Sequence, residues 1–281
     1  MLNIPVIDKY VILVRDNRDY RNLWLSQVIS QAGDWFNLIA SAALIAKLSG
    51  SGLAIGGLFI ARLLPPFVLT PVVGVVADRF NRRLILLVSD LLRFFIVLGF
   101  LLVRTEADIW LLYTLTVVQL SISAFFEPTR SAILPSLVPR KDLVTANALA
   151  GTTWSTMLAF GAALGGVATA LLGITAAFLI DAATFLVSAW FVLQIRIDTD
   201  AFSRPDPAAV NSSGWTEFVD GLRFLRRYPT ILVLALTKAS AALAFGGMAV
   251  VEVTFAEEYF PLGDDGSGTL GLIYFVTGLG T

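Results

Sequence analysis

The feature that most constrains this chain is its division into long apolar runs almost free of charge, separated by short charged clusters. A bilayer core about 30 Å thick is crossed by roughly 20 apolar residues in helical form. Runs at 23–47, 52–76, 84–104, 109–131, 146–170, 174–194 and 230–254 meet that length, and an eighth begins near Leu270. In lipid every backbone N–H and C=O has to be satisfied within the protein, so such runs are helices. Composition agrees: 15% of the 281 residues are charged, against about 25% in a soluble domain. The expected fold is that of an all-α membrane protein. The first run is long and lacks a small-residue cleavage site behind a short apolar core, so it reads as a retained span and not a signal peptide.

Lysine and arginine divide the loops into two sets. Lys9, Arg15, Arg18 and Arg21 precede the first run, and Arg79, Arg82 and Arg83 follow the second. Arg130, Arg140 and Lys141 follow the fourth, and Arg196, Arg204, Arg223, Arg226 and Arg227 follow the sixth. The opposite loops hold little beyond Lys47 and Arg104, and one is acidic, with Glu257, Glu258, Asp264 and Asp265. The amino terminus is therefore expected in the cytoplasm. Residues 1–22 form a cytoplasmic segment and 23–194 a six-span bundle. Residues 195–228 have the composition of a cytoplasmic linker, and 229–281 begin a second bundle. Within the linker Trp215, Phe218, Val219, Leu222 and Leu225 recur at helical spacing opposite Glu217, Asp220, Arg223 and Arg227. This fits a short helix lying in the membrane interface or packed on the span ends. The last residues, Gly278-Leu279-Gly280-Thr281, fall inside an apolar run, which reads as part of a longer protein.

Net charge is −1, with no cysteine and no histidine. Nothing points to nucleic acid, and disulfides, thiolate metal sites and histidine-ligated metals are excluded. No cofactor or metal site is expected, and no nucleophile constellation suggests an enzyme. Proton handling would fall to carboxylates.

Between the second and third runs stands Gly74-Val75-Val76-Ala77-Asp78-Arg79-Phe80-Asn81-Arg82-Arg83. It resembles the cytoplasmic loop signature of the major facilitator superfamily, with Asn81 where a second glycine is usual. Asparagine tolerates a left-handed backbone better than most residues, so the turn is expected to survive, while Gly74 would permit close helix approach. Two further stretches, 125–139 with Ala146-Asn147-Ala148-Leu149, and 221–229, are similar to the drug-proton antiporter branch that contains the enterobactin exporter and macrolide efflux proteins. The resemblance implies a major-facilitator-type six-helix amino-terminal bundle followed by the start of the carboxy-terminal one. It also implies a conformational gate carried by Gly74, Asp78, Arg79, Arg82 and Arg83. In that gate Asp78, Arg82 and Glu127 would form a charge network, with Arg130 nearby. Gly161, Gly165 and Gly166 are similar to the antiporter signature of span five, but Ala162 replaces its proline; close helix packing explains them equally well. The span-four arginine common in antiporters is absent, and Gln119 is the one strongly polar residue mid-span.

Charges inside the runs are costly, from about 2.5 to over 10 kcal/mol at the bilayer centre, so they are expected to face a cavity or one another. Asp34 shares a helix face with Gln27, Ser30 and Gln31, and Arg62 is its natural partner. Asp90 and Arg93 are three apart and share a face, which fits an internal ion pair. Asp181 lies in the sixth run. These five form the candidate proton or substrate site; Lys238 and Glu252 lie nearer span ends. Trp35, Phe36, Phe94, Phe95 and Trp154 would either line a drug cavity or pack and face lipid. The expected activity is proton-coupled efflux of small hydrophobic compounds or siderophore-like metabolites by alternating access across the bacterial inner membrane. The complete protein would work as a monomer, with lipid, small-molecule substrate and protons as partners. The competing reading is a non-transporting membrane scaffold made of half a transporter.

Overall fold

The computed structural model describes residues 6–196, 214–262 and 267–279. Side chains of some residues inside its helices, Asp78, Arg79, Lys238, Glu257 and Glu258 among them, lie outside that description. The described residues form helices and their connecting turns, without a strand. Eleven α-helices run α1 Val6–Asp16, α2 Arg18–Ser49, α3 Gly52–Arg79, α4 Arg82–Gly99, α5 Ile109–Leu137, α6 Leu143–Thr156, α7 Ala162–Leu172, α8 Ile174–Leu193, α9 Gly214–Arg227, α10 Pro229–Glu258 and α11 Ser267–Leu279. Among the described residues six stretches are long and apolar enough to cross a membrane: Arg18–Ser49, Gly52–Leu69, Arg82–Leu102, Glu106–Leu137, Arg140–Leu172 and Ile174–Leu193. The 30 residues of α10 span about 45 Å at 1.5 Å per residue.

Local chemistry sets the boundaries. Asn17 caps α2 by accepting the Tyr20 N–H at 2.9 Å, so this first spanning helix begins five residues before the apolar run. Gly50 ends α2 in the left-handed region at φ 55°, its N–H bonded to the Ala46 carbonyl; glycine adopts this conformation without a Cβ penalty. Asn81 does not take the left-handed backbone expected of it. It stands at φ −60° as the N-cap of α4, its side chain accepting the Leu84 N–H at 3.2 Å. The asparagine thus replaces glycine by capping a helix, not by mimicking glycine's backbone.

The fifth span is not one continuous α-helix. A π-helical segment, Met157–Gly161, joins α6 to α7. Just beyond it, small residues bring three helices together. A Cβ on Gly165 would lie 3.2 Å from the Phe36 Cα of α2, and one on Gly271 of α11 would lie 3.1 Å from the Gly166 Cα. A Cβ on Gly161 would meet the Trp35 ring at 2.9 Å. Trp35 in turn packs on Tyr274 of α11, ring centroids 5.5 Å apart. Gly74, by contrast, makes no close approach: a Cβ there would meet open space among the described residues.

Two apolar clusters fill the bundle. One includes Leu38, Val97, Phe100, Leu112, Phe178 and Phe185; the other includes Leu23, Leu86, Phe126, Ile133 and Val192. Between them, on every helix that joins both clusters, stand buried polar residues. These are Gln27, Ser30 and Asn37 on α2, Ser89, Asp90 and Arg93 on α4, Thr116 and Gln119 on α5, and Ser188 on α8. A polar layer therefore crosses the bundle at mid-height.

Candidate substrate and coupling cavity

A cavity of about 530 Å³ opens on this layer. Its lining brings together Gln27, Ser30, Gln31 and Asp34 of α2 with Arg62 of α3, Arg93 of α4, Ser123, Glu127 and Arg130 of α5, and Asn147 and Trp154 of α6. The shared face of α2 arises because residues three and four apart on a helix are neighbours. Trp35 also lines the cavity, whereas Phe94 packs on the apolar core and Phe95 is exposed.

Arg93 is the hub. Its Nη2 lies 2.5 Å from Asp90 Oδ1, and Asp90 Oδ2 accepts the Ser188 hydroxyl at 2.6 Å. Ser123 accepts from Arg93 Nη1 at 3.4 Å. The guanidinium carbon stands 4.3 Å from the Phe185 ring centroid and 4.8 Å from that of Phe126, a favourable placement for a cation on two π-faces. Arg93 also reaches Asp34, but only at 3.9 Å, and the Asp34 side chain is one-third exposed. Arg93, not Arg62, thus makes the described ion pair with Asp34. Arg62 lines the same cavity with Nη1 buried and without a hydrogen-bond partner.

Asp181 of α8 is fully buried, and neither of its oxygens makes a well-formed hydrogen bond. Asn37 of α2 lies beside it, its own Nδ2 likewise unsatisfied. Gly33 allows this closeness: a Cβ there would fall 2.5 Å from Asp181 Oδ1 and 2.0 Å from Thr184 Oγ1.

Below the cavity the arginines of the α3–α4 turn act as staples. Arg82 donates from Nε to the Ala77 carbonyl at 3.1 Å and from Nη1 to the Ala132 carbonyl of α5 at 2.9 Å. Arg83 donates to the Val192 carbonyl at 3.2 Å and also to that of Leu193, at the end of α8. Late carbonyls of a helix lack intrahelical partners and carry the negative end of its dipole, so guanidinium donors suit them. Glu127 pairs within α5 with Arg130, at 2.9 Å. The Asp78 and Arg79 side chains, assigned to the gate, lie outside the described residues.

Sequence reasoning missed Ser188, Ser123, Asn37 and the two phenylalanine rings around Arg93. The signal for Ser188 was present, since it follows Asp181 by seven residues, two helical turns along one face. Asn37 stands three residues after Asp34 in the same way. The rings had no signal, because apolar residues on these helices outnumber those that meet a charge.

The chain matches the family described as Transmembrane secretion effector over residues 15–256. It is 33% identical to the MFS-type transporter YfiS of Bacillus subtilis (strain 168) over 227 residues, covering 80% of this chain and 53% of that protein. It is 24% identical to YkuC of the same organism, covering 82% and 53%. It is also 26% identical to the multidrug efflux pump Tap of Mycolicibacterium fortuitum, covering 73% and 51%. The chain spans about half the length of the curated relatives it matches.

Proposed function

The chain belongs to the transmembrane secretion effectors of the major facilitator transporters, and on that premise we propose that the complete protein exports small hydrophobic compounds or siderophore-like metabolites in exchange for protons. The observation that carries this reading is Asp34: an acid one-third exposed in the central cavity, held only at 3.9 Å by an arginine already committed to Asp90 at 2.5 Å. Asp90 and Arg93 neutralise each other. Asp34 shares its cavity with Arg62, and the charge of Asp181 acts on the same guanidinium. With Asp34, Asp90, Asp181, Arg62 and Arg93 all ionised this group carries one net negative charge, which is costly next to the buried Asp181. A proton neutralises it, and so does a cationic group on a substrate; competition between the two couples them.

In this reading the amino terminus is cytoplasmic and the protein lies in the bacterial inner membrane. The cavity lining then runs from mid-span, at Asp34 and Arg62, toward the cytoplasmic ends of α2 and α5. Asp78, Arg79, Arg82, Arg83, Glu127 and Arg130 form the gate at that end. The bonds of Arg82 to the Ala132 carbonyl within α5 and of Arg83 to the terminal carbonyls of α8 support this role, because they tie α4 to both helices and yield when those helices part. The test is accumulation of a compound panel in cells with and without the full-length protein. Expression should lower accumulation of at least one hydrophobic compound, a protonophore should restore it, and Asp34→Asn should behave as the protonophore does. Efflux that ignores both would overturn the coupling assignment.

A further inference from the structure

The amino-terminal helix α1 is amphipathic, but the bundle covers only part of its apolar arc. Leu13 is buried in the apolar cluster that includes Leu23 and Phe126, and Val14 packs against it. Ile7 and Val11 continue the same arc at i, i+4 spacing yet are 72% and 56% exposed. Beside them runs a groove of about 380 Å³ walled by Tyr10, Val11, Val14, Trp24 and Leu149, with Arg15 and Arg21 at its rim.

Both arginines border the groove, and Arg21 Nη1 is held beside the α1–α2 turn by donating to the Arg15 backbone carbonyl at 3.3 Å. Of the described acids close in sequence, Asp16 meets Arg15 at 3.9 Å across two exposed side chains, an exposed pair that is loosely held, and Asp19 accepts the Arg196 N–H at 3.0 Å. No carboxylate lines the groove. Trp24 is fixed by its Nε1 bond to Thr153 Oγ1 at 2.8 Å and stands where the first span begins. Tryptophan and tyrosine at a span end mark headgroup depth, and basic residues at that depth attract anionic lipid.

We propose that this groove is a binding site for one anionic phospholipid, its acyl chain lying along Tyr10, Val11, Val14 and Trp24 and its phosphate on Arg15 and Arg21. Arginine suits the role because its planar fork binds phosphate through two donors. The lipid completes the cover that the bundle leaves off α1 and holds that helix flat on the membrane.

Trp24 is the reporter. Full-length protein retaining it as the sole tryptophan is reconstituted with phosphatidylglycerol or phosphatidylcholine carrying brominated acyl chains, at equal mole fraction. Brominated phosphatidylglycerol should quench Trp24 at a concentration about five-fold lower than brominated phosphatidylcholine does. The paired change Arg15→Gln, Arg21→Gln should erase the difference, and Lys9→Gln, which removes an exposed charge away from the groove, should preserve it. Equal quenching by the two lipids in the parent would overturn the site. So would absence of quenching, which would mean that protein covers the groove, and so would a preference that survives the paired change.

Discussion

Arg93 and Asp34 illustrate how two charges of one cavity come to have different roles. Arg93 is enclosed by Asp90, Ser123 and two phenylalanine rings, so its charge is a fixed part of the bundle. Removing one partner of a buried pair strands the other, at a cost of about 3–5 kcal/mol. Asp90→Leu should therefore lower the thermal unfolding temperature of the full-length protein in detergent sharply. Asp34→Asn, at a partly open position with a 3.9 Å contact, should leave that temperature nearly unchanged. Gly33 is as tightly constrained as Arg93. A methyl group there runs into Thr184 and Asp181, so Gly33→Ala should destabilise by about 1–3 kcal/mol through overpacking. Gly74→Ala should be close to neutral in the same unfolding assay, because nothing described stands within reach of its Cβ.

At the scale of elements, helix ends are pinned by side chains from distant segments. Asn17 caps α2 and also donates from Nδ2 to the Leu137 carbonyl at 2.6 Å, where α5 ends. Asn17→Ala removes both bonds and should cost about 1–2 kcal/mol. Hydrogen exchange should show the loss as faster exchange confined to the first turn of α2. The helices themselves were legible in the sequence, because a span declares itself by length and apolarity alone. So was the shared face of Gln27, Ser30, Gln31 and Asp34, which follows from helical spacing. What separates helices was less so. Asn81 reads equally as a glycine substitute or as a cap, and only its partner, the Leu84 N–H, decides. The π segment at Met157–Gly161 leaves no mark on hydropathy, since it changes backbone bonding and not composition. Partner choice was the least legible: Arg62 is one helix along the chain from Asp34 and Arg93 two, and which one meets it depends on how α3 and α4 tilt.

Across the whole molecule, the two apolar clusters flank a polar layer that holds the Asp90–Arg93 pair, with Asp181 and Arg130 buried on either side of it. Such a layer is a liability in a static protein and an asset in one that alternates between two packings, because ion pairs can exchange partners as the helices move. The gate is the other half of this proposal. Asp78→Asn should impair transport by the full-length protein while membrane insertion, read by surface labelling of loop cysteines, stays intact; undiminished transport would move the gate elsewhere. The coupling itself is tested most directly in proteoliposomes containing the full-length protein under an imposed pH gradient, with uptake of a panel of hydrophobic compounds followed for the parent and for Asp34→Asn. Exchange of protons at Asp34 predicts gradient-driven uptake of at least one compound by the parent, abolished by a protonophore and absent in Asp34→Asn. Gradient-driven uptake that persists in Asp34→Asn, or a parent that moves no compound in response to the gradient, would contradict it.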